Sequence, residues 1–288
     1  MSVAETSKAE LLEESNQTYH ADTTAISHSM LEQFRKSIKG YRDLYVTGTM
    51  ARRPPSDEMI LGSALHCFLL EPDSFNDQYA VVPKVDGRTK DGKAAKAAFA
   101  AQSEGKTLFD ADQMSAVASM ASAVRENKAA AALLDSLDHS EVSIRWQDRD
   151  TWLQCKCRPD GLIVNGSQII VDLKTASNPS PSVFARRAND FGYHRQAAHY
   201  QIGCETWADA VTVFDHVFIV VGNCEPFECF CYRLDAEAID LGRRQNIYDL
   251  ARLAKFVESN DWRDPLADGI NPLSLPPWAF TKDTNHAD

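Results

Sequence analysis

The sequence predicts a single mixed α/β domain, of the α+β kind, with a helical N-terminal part. Three observations predict it. Capped helical stretches fill most of residues 29–137, short alternating strands follow from 141 to 173, and two helices, two strands and a long amphipathic helix complete the chain. At 288 residues, 44% hydrophobic and 25% charged, the chain has enough apolar material for one large core without disulfides.

Residues 1–24 are polar and acidic and are expected to be a flexible N-terminus. In "ISHSMLEQFRKSIKGY", Ser29 stands three residues before Glu32, a capping box that starts a helix running to about Lys39, with Gly40 as its stop. "ARRPP" is a loop. Ser56 caps "DEMILGSALHCFLLEP", which Pro72 ends, and "QYAVVP" is a short strand. Residues 84–106 pass from a loop into an alanine-rich helix; there Lys84, Arg88, Lys90, Lys93, Lys96 and Lys106 face only Asp86, Asp91 and Glu104. An Asp near 110 caps the next helix, and "KAAAALLDSL" adds another.

Strands are expected at about 141–147, 151–158, 161–164 and 168–173, and helices at about 181–190 and 193–207. Strands at 212–221 and 226–234 follow. Asp235 caps a helix to about Val257, with Ile239, Ile247, Leu250, Ala251, Ala254 and Val257 on one broad face. The resulting division is a flexible segment 1–24, one domain over 25–280 and a tail over 281–288.

The net charge of −11 is uneven: residues 1–22 and 257–288 each carry −4, leaving −3 on the rest. A nearly neutral body does not exclude a local basic surface. No apolar run approaches the roughly 20 residues of a membrane span, and the N-terminus has no apolar signal core. Seven cysteines, an odd number without CxxC spacing, read as small core residues rather than a zinc or iron–sulfur cluster. Together these predict a cytoplasmic protein with no membrane association.

"CRPDGLIVNGSQIIVDLKTAS" concentrates the chemistry. It reads as a hairpin around Asn165-Gly166, with Asp160 beside one strand and Asp172-Leu173-Lys174 at the end of the other. Asp172 and Lys174 are two apart in a strand and project from one face. A two-residue turn places Pro159 opposite Asp172; a three-residue connection through Ser167 places Asp160 there. Either way two carboxylates and an ammonium share one end of the hairpin. Neighbouring carboxylates repel unless a proton or cation joins them, and Mg²⁺ favours such oxygens together with substrate phosphate. A Lys beside them can orient or deprotonate a water, or stabilise charge on a phosphorane-like transition state. Alone, the triplet reads equally well as a surface ion pair at a strand end. So do its companions singly: His66 in "GSALH" as a core histidine, Glu141 as a solvated strand end, and Gln196 and Tyr200 in "YHRQAAHY" as one helix face.

In order, these elements are GxxxH, E, PD, DLK and QxxxY. That order, with "ISHSML", "LGSALHCFLLEP", "CKCRPDGLIV", "IIVDLKTAS", "YHRQAAHYQIG" and "LPPWAF", resembles the RecB-type branch of the PD-(D/E)XK nuclease superfamily. It is most similar there to RecE-like exonucleases, in their C-terminal nuclease domain, over residues 26–280. The resemblance implies a restriction-endonuclease-like core, a central mixed sheet flanked by helices. It implies Mg²⁺-dependent 5′ to 3′ digestion of one strand of linear duplex DNA, with Mn²⁺ as a substitute. It also implies a ring-shaped homo-oligomer (trimer or tetramer), a RecT-like single-strand annealing partner, and a phage or prophage origin in a bacterial cell. The long N-terminal extension of RecE is not matched, so a stand-alone nuclease is expected.

Carried onto this sequence, the resemblance makes Asp160, Asp172 and Lys174 catalytic. His66, Asp160, Asp172 and the Leu173 carbonyl become metal ligands, with Glu141 as a further one. Gln196, Tyr200 and Tyr193 lie near the scissile phosphate. DNA contacts are expected from Lys90, Lys93 and Lys96, and from Ser27, Ser29, Arg52, Arg53, Arg186, Arg187 and Arg195, the latter group offering guanidinium or helix-terminus partners for a 5′ phosphate. An endonuclease on the same core, or an inactive DNA-binding module, remains the alternative; the intact Asp160, Asp172 and Lys174 speak against the module.

Overall fold

The structure, a computed structural model, describes residues 9–86, 88–208, 213–276 and 280. The expected flexible residues 1–8, Pro277 to Ala279 of the "LPPWAF" match, and the tail 281–288 lie outside the described residues. From the N-terminus, β1 (Glu10–Leu12) and α1 (Asn16–Ala21) precede α2 (His28–Lys36), α3 (Ile38–Tyr41) and a π-helical turn (Arg42–Val46). Next come α4 (Asp57–Leu70), α5 (Pro72–Gln78), β2 (Tyr79–Val81), α6 (Lys90–Gln102), β3 (Thr107–Phe109), α7 (Ala111–Glu126) and α8 (Lys128–Asp135). The strands β4 (His139–Ser140), β5 (Ser143–Gln147), β6 (Gln154–Cys157), β7 (Gly161–Ile163) and β8 (Ile169–Ala176) follow. Helices α9 (Pro181–Asp190) and α10 (Tyr193–Trp207), strands β9 (Asp215–Gly222) and β10 (Cys229–Arg233), and α11 (Ala236–Ser259) complete the order.

The central sheet has the order β10-β9-β8-β7-β4, with β8 parallel to β9 and the other pairs antiparallel, so it is the expected mixed sheet. Apolar alternation along β8 sends Val171 and Leu173 into a core shared with α4, α7 and α8. Ile170 points to a second core, built with α2, α10, α11 and a smaller sheet. That smaller sheet has the order β1-β5-β6, and β2 and β3 form a separate parallel pair. Among the described residues no helix is long and apolar enough to cross a membrane.

Several expectations change. Residues 10–24 are not loosely attached: β1 pairs with β5, Tyr19 is buried, and Arg145 binds Asp22 and Glu14. The Lys156 ammonium lies beneath this strap and donates to the Tyr19 and Asp22 carbonyls. Ser27, not Ser29, caps α2 by accepting from the Met30 N–H. Gly40 does not stop that helix; Ser37 does, and Gly40 lies in the next turn, which Ser37 also caps. Pro72 ends one helix but also opens α5 at its first position, where a missing N–H costs nothing.

The strand expected over 141–147 is broken. β4 pairs with β7 in the central sheet, β5 pairs with β6 in the smaller one, and Glu141 takes φ 53° between them. On α11 the buried face is Ile239, Gly242, Asn246, Asp249, Leu250 and Leu253, while Ile247 and Val257 are exposed. Polar Asn246 and Asp249 displace the apolar pair because both have partners within the fold: Asn246 donates to the Arg195 carbonyl and Asp249 binds Arg35.

Candidate metal centre at the hairpin end

The register of the hairpin decides which acid faces Asp172. Gly161 pairs with Val171 and Ile163 with Ile169, so Asp160 follows opposite Asp172, as the three-residue connection requires. The connection is held from outside: Asp138 accepts from the backbone N–H of Val164 and Asn165 at 2.7 and 3.0 Å, and Gly166 takes φ 96°. A Cβ at Gly161 would lie 2.6 Å from the Leu137 side chain, so glycine allows the close approach without displacing that leucine. The strand can therefore press against Leu137 and present Asp160 at its start.

Three elements meet Asp160. Its Oδ2 accepts from the Leu173 N–H at 2.7 Å, and its carbonyl accepts from the Glu141 N–H at 3.0 Å. His66, from the middle of α4, places Nε2 2.9 Å from the Leu173 carbonyl. An Nε2–H donor there leaves the Nδ1 lone pair facing outward, 3.6 Å from Asp160 Oδ2 and 3.7 Å from Glu141 Oε1. Ligand atoms of His66, Glu141 and Asp160 all lie within 4.8 Å of one another. A histidine that donates one ring nitrogen to a backbone carbonyl and offers the other is the usual ligand arrangement. Hard carboxylate oxygens beside it suit a divalent cation, so the residues present fit one.

The charges agree. Burial raises the Asp160 carboxyl, His66 lowers it and the Asp172 charge raises it again, to about 7. Burial pulls the His66 ring down, but Asp160 and Glu141 outweigh it and hold it up to about 9. Near neutral pH the cluster thus carries protons where a cation would sit. A cation taken there must displace them, so its binding tightens as pH rises.

Asp172 is fully buried. Gln196 Nε2 donates to its Oδ1 at 2.9 Å, so the residue expected on the DNA backbone instead holds this carboxylate. Its Oδ2 faces the Lys174 ammonium in a close ion pair but accepts no well-directed hydrogen bond. Burial lowers Lys174, but Asp172 and Asp160 outweigh it and the net shift is upward. Lys174 is therefore a firm ammonium here, suited to hold a water or a developing negative charge rather than to accept a proton. It lies 5.2 Å from the centre of the Tyr193 ring. Tyr200 is half-buried, and burial, with the charges of Asp172 and Asp160 behind it, raises its phenol. The Leu173 side chain enters the core, and its carbonyl, expected as a ligand, accepts the His66 bond.

Other expected contacts separate. Lys90, Lys93 and Lys96 are exposed on α6, as are Ser29, Arg53 and Arg186. Arg195 is buried and forks onto Glu32, with Nη2 at 2.7 Å, so its guanidinium is committed within the fold. Ser27 is a buried cap, Arg52 donates to the His20 carbonyl at 2.8 Å, and Arg187 leans on Ser177 at 3.4 Å. The residue missed from sequence is Arg158, which binds Glu141 at 3.1 Å. Its signal was present: Lys156 and Arg158 alternate with the apolar-type Cys155 and Cys157 in and just after β6, and buried charges require partners.

Comparison with known proteins decides the family. Residues 27–265 match the family described as a PDDEXK-like domain of unknown function (DUF3799). The chain belongs to this family. No curated protein matches the sequence. Among solved structures, the PDDEXK-like chain is similar to a "putative exonuclease" from Eubacterium rectale, with a TM-score of 0.59 and 10% identity over 94% of this chain and 98% of that one. At that identity the likeness is one of fold. The expected PD-(D/E)XK nuclease fold and family membership are thereby shown.

Proposed function

We propose that the chain is a Mg²⁺-dependent exodeoxyribonuclease that degrades one strand of linear duplex DNA from the 5′ end. The observation that carries this reading is the convergence of His66, Glu141 and Asp160 within 4.8 Å beside the pair formed by buried Asp172 and half-buried Lys174. The cation would be held by His66 Nδ1, Glu141, Asp160 and the adjacent Asp172, and would supply positive charge against the scissile phosphate. Lys174, kept charged and oriented by Asp172, donates to the attacking water or the phosphate oxygens. Gln196 fixes the other Asp172 oxygen. Water adds to phosphorus and gives up a proton to solvent, the bond from phosphorus to one flanking sugar oxygen breaks, and that oxygen takes a proton from solvent to leave as a hydroxyl.

The preference for exonuclease over endonuclease is supported by the RecE-like motif order and by the name of the Eubacterium rectale neighbour. In this reading the products are 3′ single-stranded overhangs for phage-type recombination by annealing, with a RecT-like partner and a ring-shaped homo-oligomer in a bacterial cytoplasm. Exposed Lys90, Lys93 and Lys96 are the phosphate-tracking candidates. The test uses linear duplex labelled at either end, with closed-circular duplex alongside. The 5′-terminal nucleotide should be released first and the circle should survive. Release from the 3′ end, or linearisation of the circle, contradicts the reading.

A further inference from the structure

We propose that Arg158 is a positioning residue of the cation site, fixing Glu141 so that its Oε1 faces His66 and Asp160. The inference rests on the reading of that cluster as a cation site. Arg158 is only 7% exposed, immediately after β6, and its guanidinium divides between Glu141 and the N-terminal strap. Nε donates to Glu141 Oε2 at 3.1 Å; Nη1 donates to the Glu14 carbonyl at 2.7 Å and approaches Ser143 Oγ at 3.4 Å. The two Glu141 oxygens therefore have separate tasks. Oε2 is held by Arg158, while Oε1 lies 3.7 Å from His66 Nδ1.

Glu141 needs such a restraint. It stands where the chain leaves one sheet for another, at φ 53°, a left-handed conformation that a non-glycine residue adopts only when its surroundings impose it. Its N–H is fixed by the Asp160 carbonyl at 3.0 Å, which holds the backbone but leaves the side-chain torsions free. Arg158 fixes those torsions. Arg158 is itself anchored by the N-terminal strap, which supplies the Glu14 carbonyl and is tied to β5 by the Arg145 pairs with Glu14 and Asp22. A planar fork meets these acceptors at once; a lysine ammonium at the end of a flexible stem does not. Direct contact with a DNA phosphate is disfavoured by the same geometry, since the guanidinium is buried and already engaged.

The test is Mn²⁺ binding by the full chain, read from the electron paramagnetic resonance signal of the free ion. The proteins are wild type, Arg158→Gln, Arg158→Lys, Glu141→Gln and the Arg158→Gln/Glu141→Gln pair. Loss of an outer-shell partner weakens metal affinity by about 10–100-fold, and Arg158→Gln should fall in that range, with Arg158→Lys between it and wild type. In the Glu141→Gln background, Arg158→Gln should add nothing, because the group it positions is gone. Unchanged affinity in Arg158→Gln, or an equal loss in both backgrounds, overturns the positioning role. If wild type itself binds no Mn²⁺, the cation site and this inference fall together; if wild type binds and Arg158→Gln binds equally, only the inference falls. Circular dichroism checks folding, and if Arg158→Gln is unfolded the Arg158→Lys series carries the comparison alone.

Discussion

Asp172→Asn is expected to lower the rate of DNA cleavage by about a thousandfold, a loss of about 4 kcal/mol of transition-state stabilisation. The substitution keeps the volume and leaves an oxygen for Gln196, which now donates to Oδ1 at 2.9 Å. It removes the negative charge that pairs with Lys174 and that would face the cation. The side chain is fully buried, so stability also changes: an amide opposite the Lys174 ammonium should cost about 1–3 kcal/mol, seen as a lower Tm. Single-turnover rates on linear duplex, with Tm measured in parallel, separate the two effects. Near-normal turnover in a folded Asp172→Asn protein would remove Asp172 from the centre.

Lys174→Gln should lower kcat by about 10²–10³-fold while DNA affinity stays close to wild type, because the ammonium acts on charge that develops during reaction. The upward shift of Lys174, set by Asp172 and Asp160 against burial, makes it a donor throughout the neutral range. Lys174→Arg should rescue poorly despite its charge: the pocket is shaped by Asp172 on one side and the Tyr193 ring on the other, and a wide planar fork does not replace a compact ammonium. A parallel fall in binding and turnover for Lys174→Gln would instead make this residue a substrate anchor.

Much of this arrangement was legible in the sequence because it follows from strand periodicity. Asp172 and Lys174 share a face by being two apart, whereas Asp160 opposite Asp172 was one of two registers the sequence allowed, and the observed pairing selects it. Helices α9 and α10 have the expected limits because Pro181 opens one and Gly192, at φ 70°, opens the other. What was not legible depends on long-range burial of charge. Glu141 is the end of a strand by local pattern, yet the chain switches sheets there, since β4 pairs with β7 while β5 pairs with β1 and β6. Arg195 reads as a surface cation beside the Gln196–Tyr200 face, but Glu32 on α2 claims it. The face of α11 was misread for the same reason, since Asn246 and Asp249 are polar by type and buried by partnership. The strap over residues 10–24 has too few apolar residues to signal a packed segment; Lys156, Arg158 and Arg145 hold it through its backbone carbonyls and acids.

The central claim, that His66, Glu141 and Asp160 hold a divalent cation, is tested most directly by calorimetric titration of Mn²⁺ into the full chain at pH 7 in two buffers of different ionisation heat. His66 is held up to about 9 and Asp160 to about 7, so at pH 7 His66 carries a proton and Asp160 is partly protonated, and the cation must expel these protons. The account predicts binding that differs in apparent enthalpy between the buffers, tightens as pH rises from 6 to 8, and is lost in Asp160→Asn. Binding that is independent of buffer and pH and survives Asp160→Asn, or no binding at all, would contradict it.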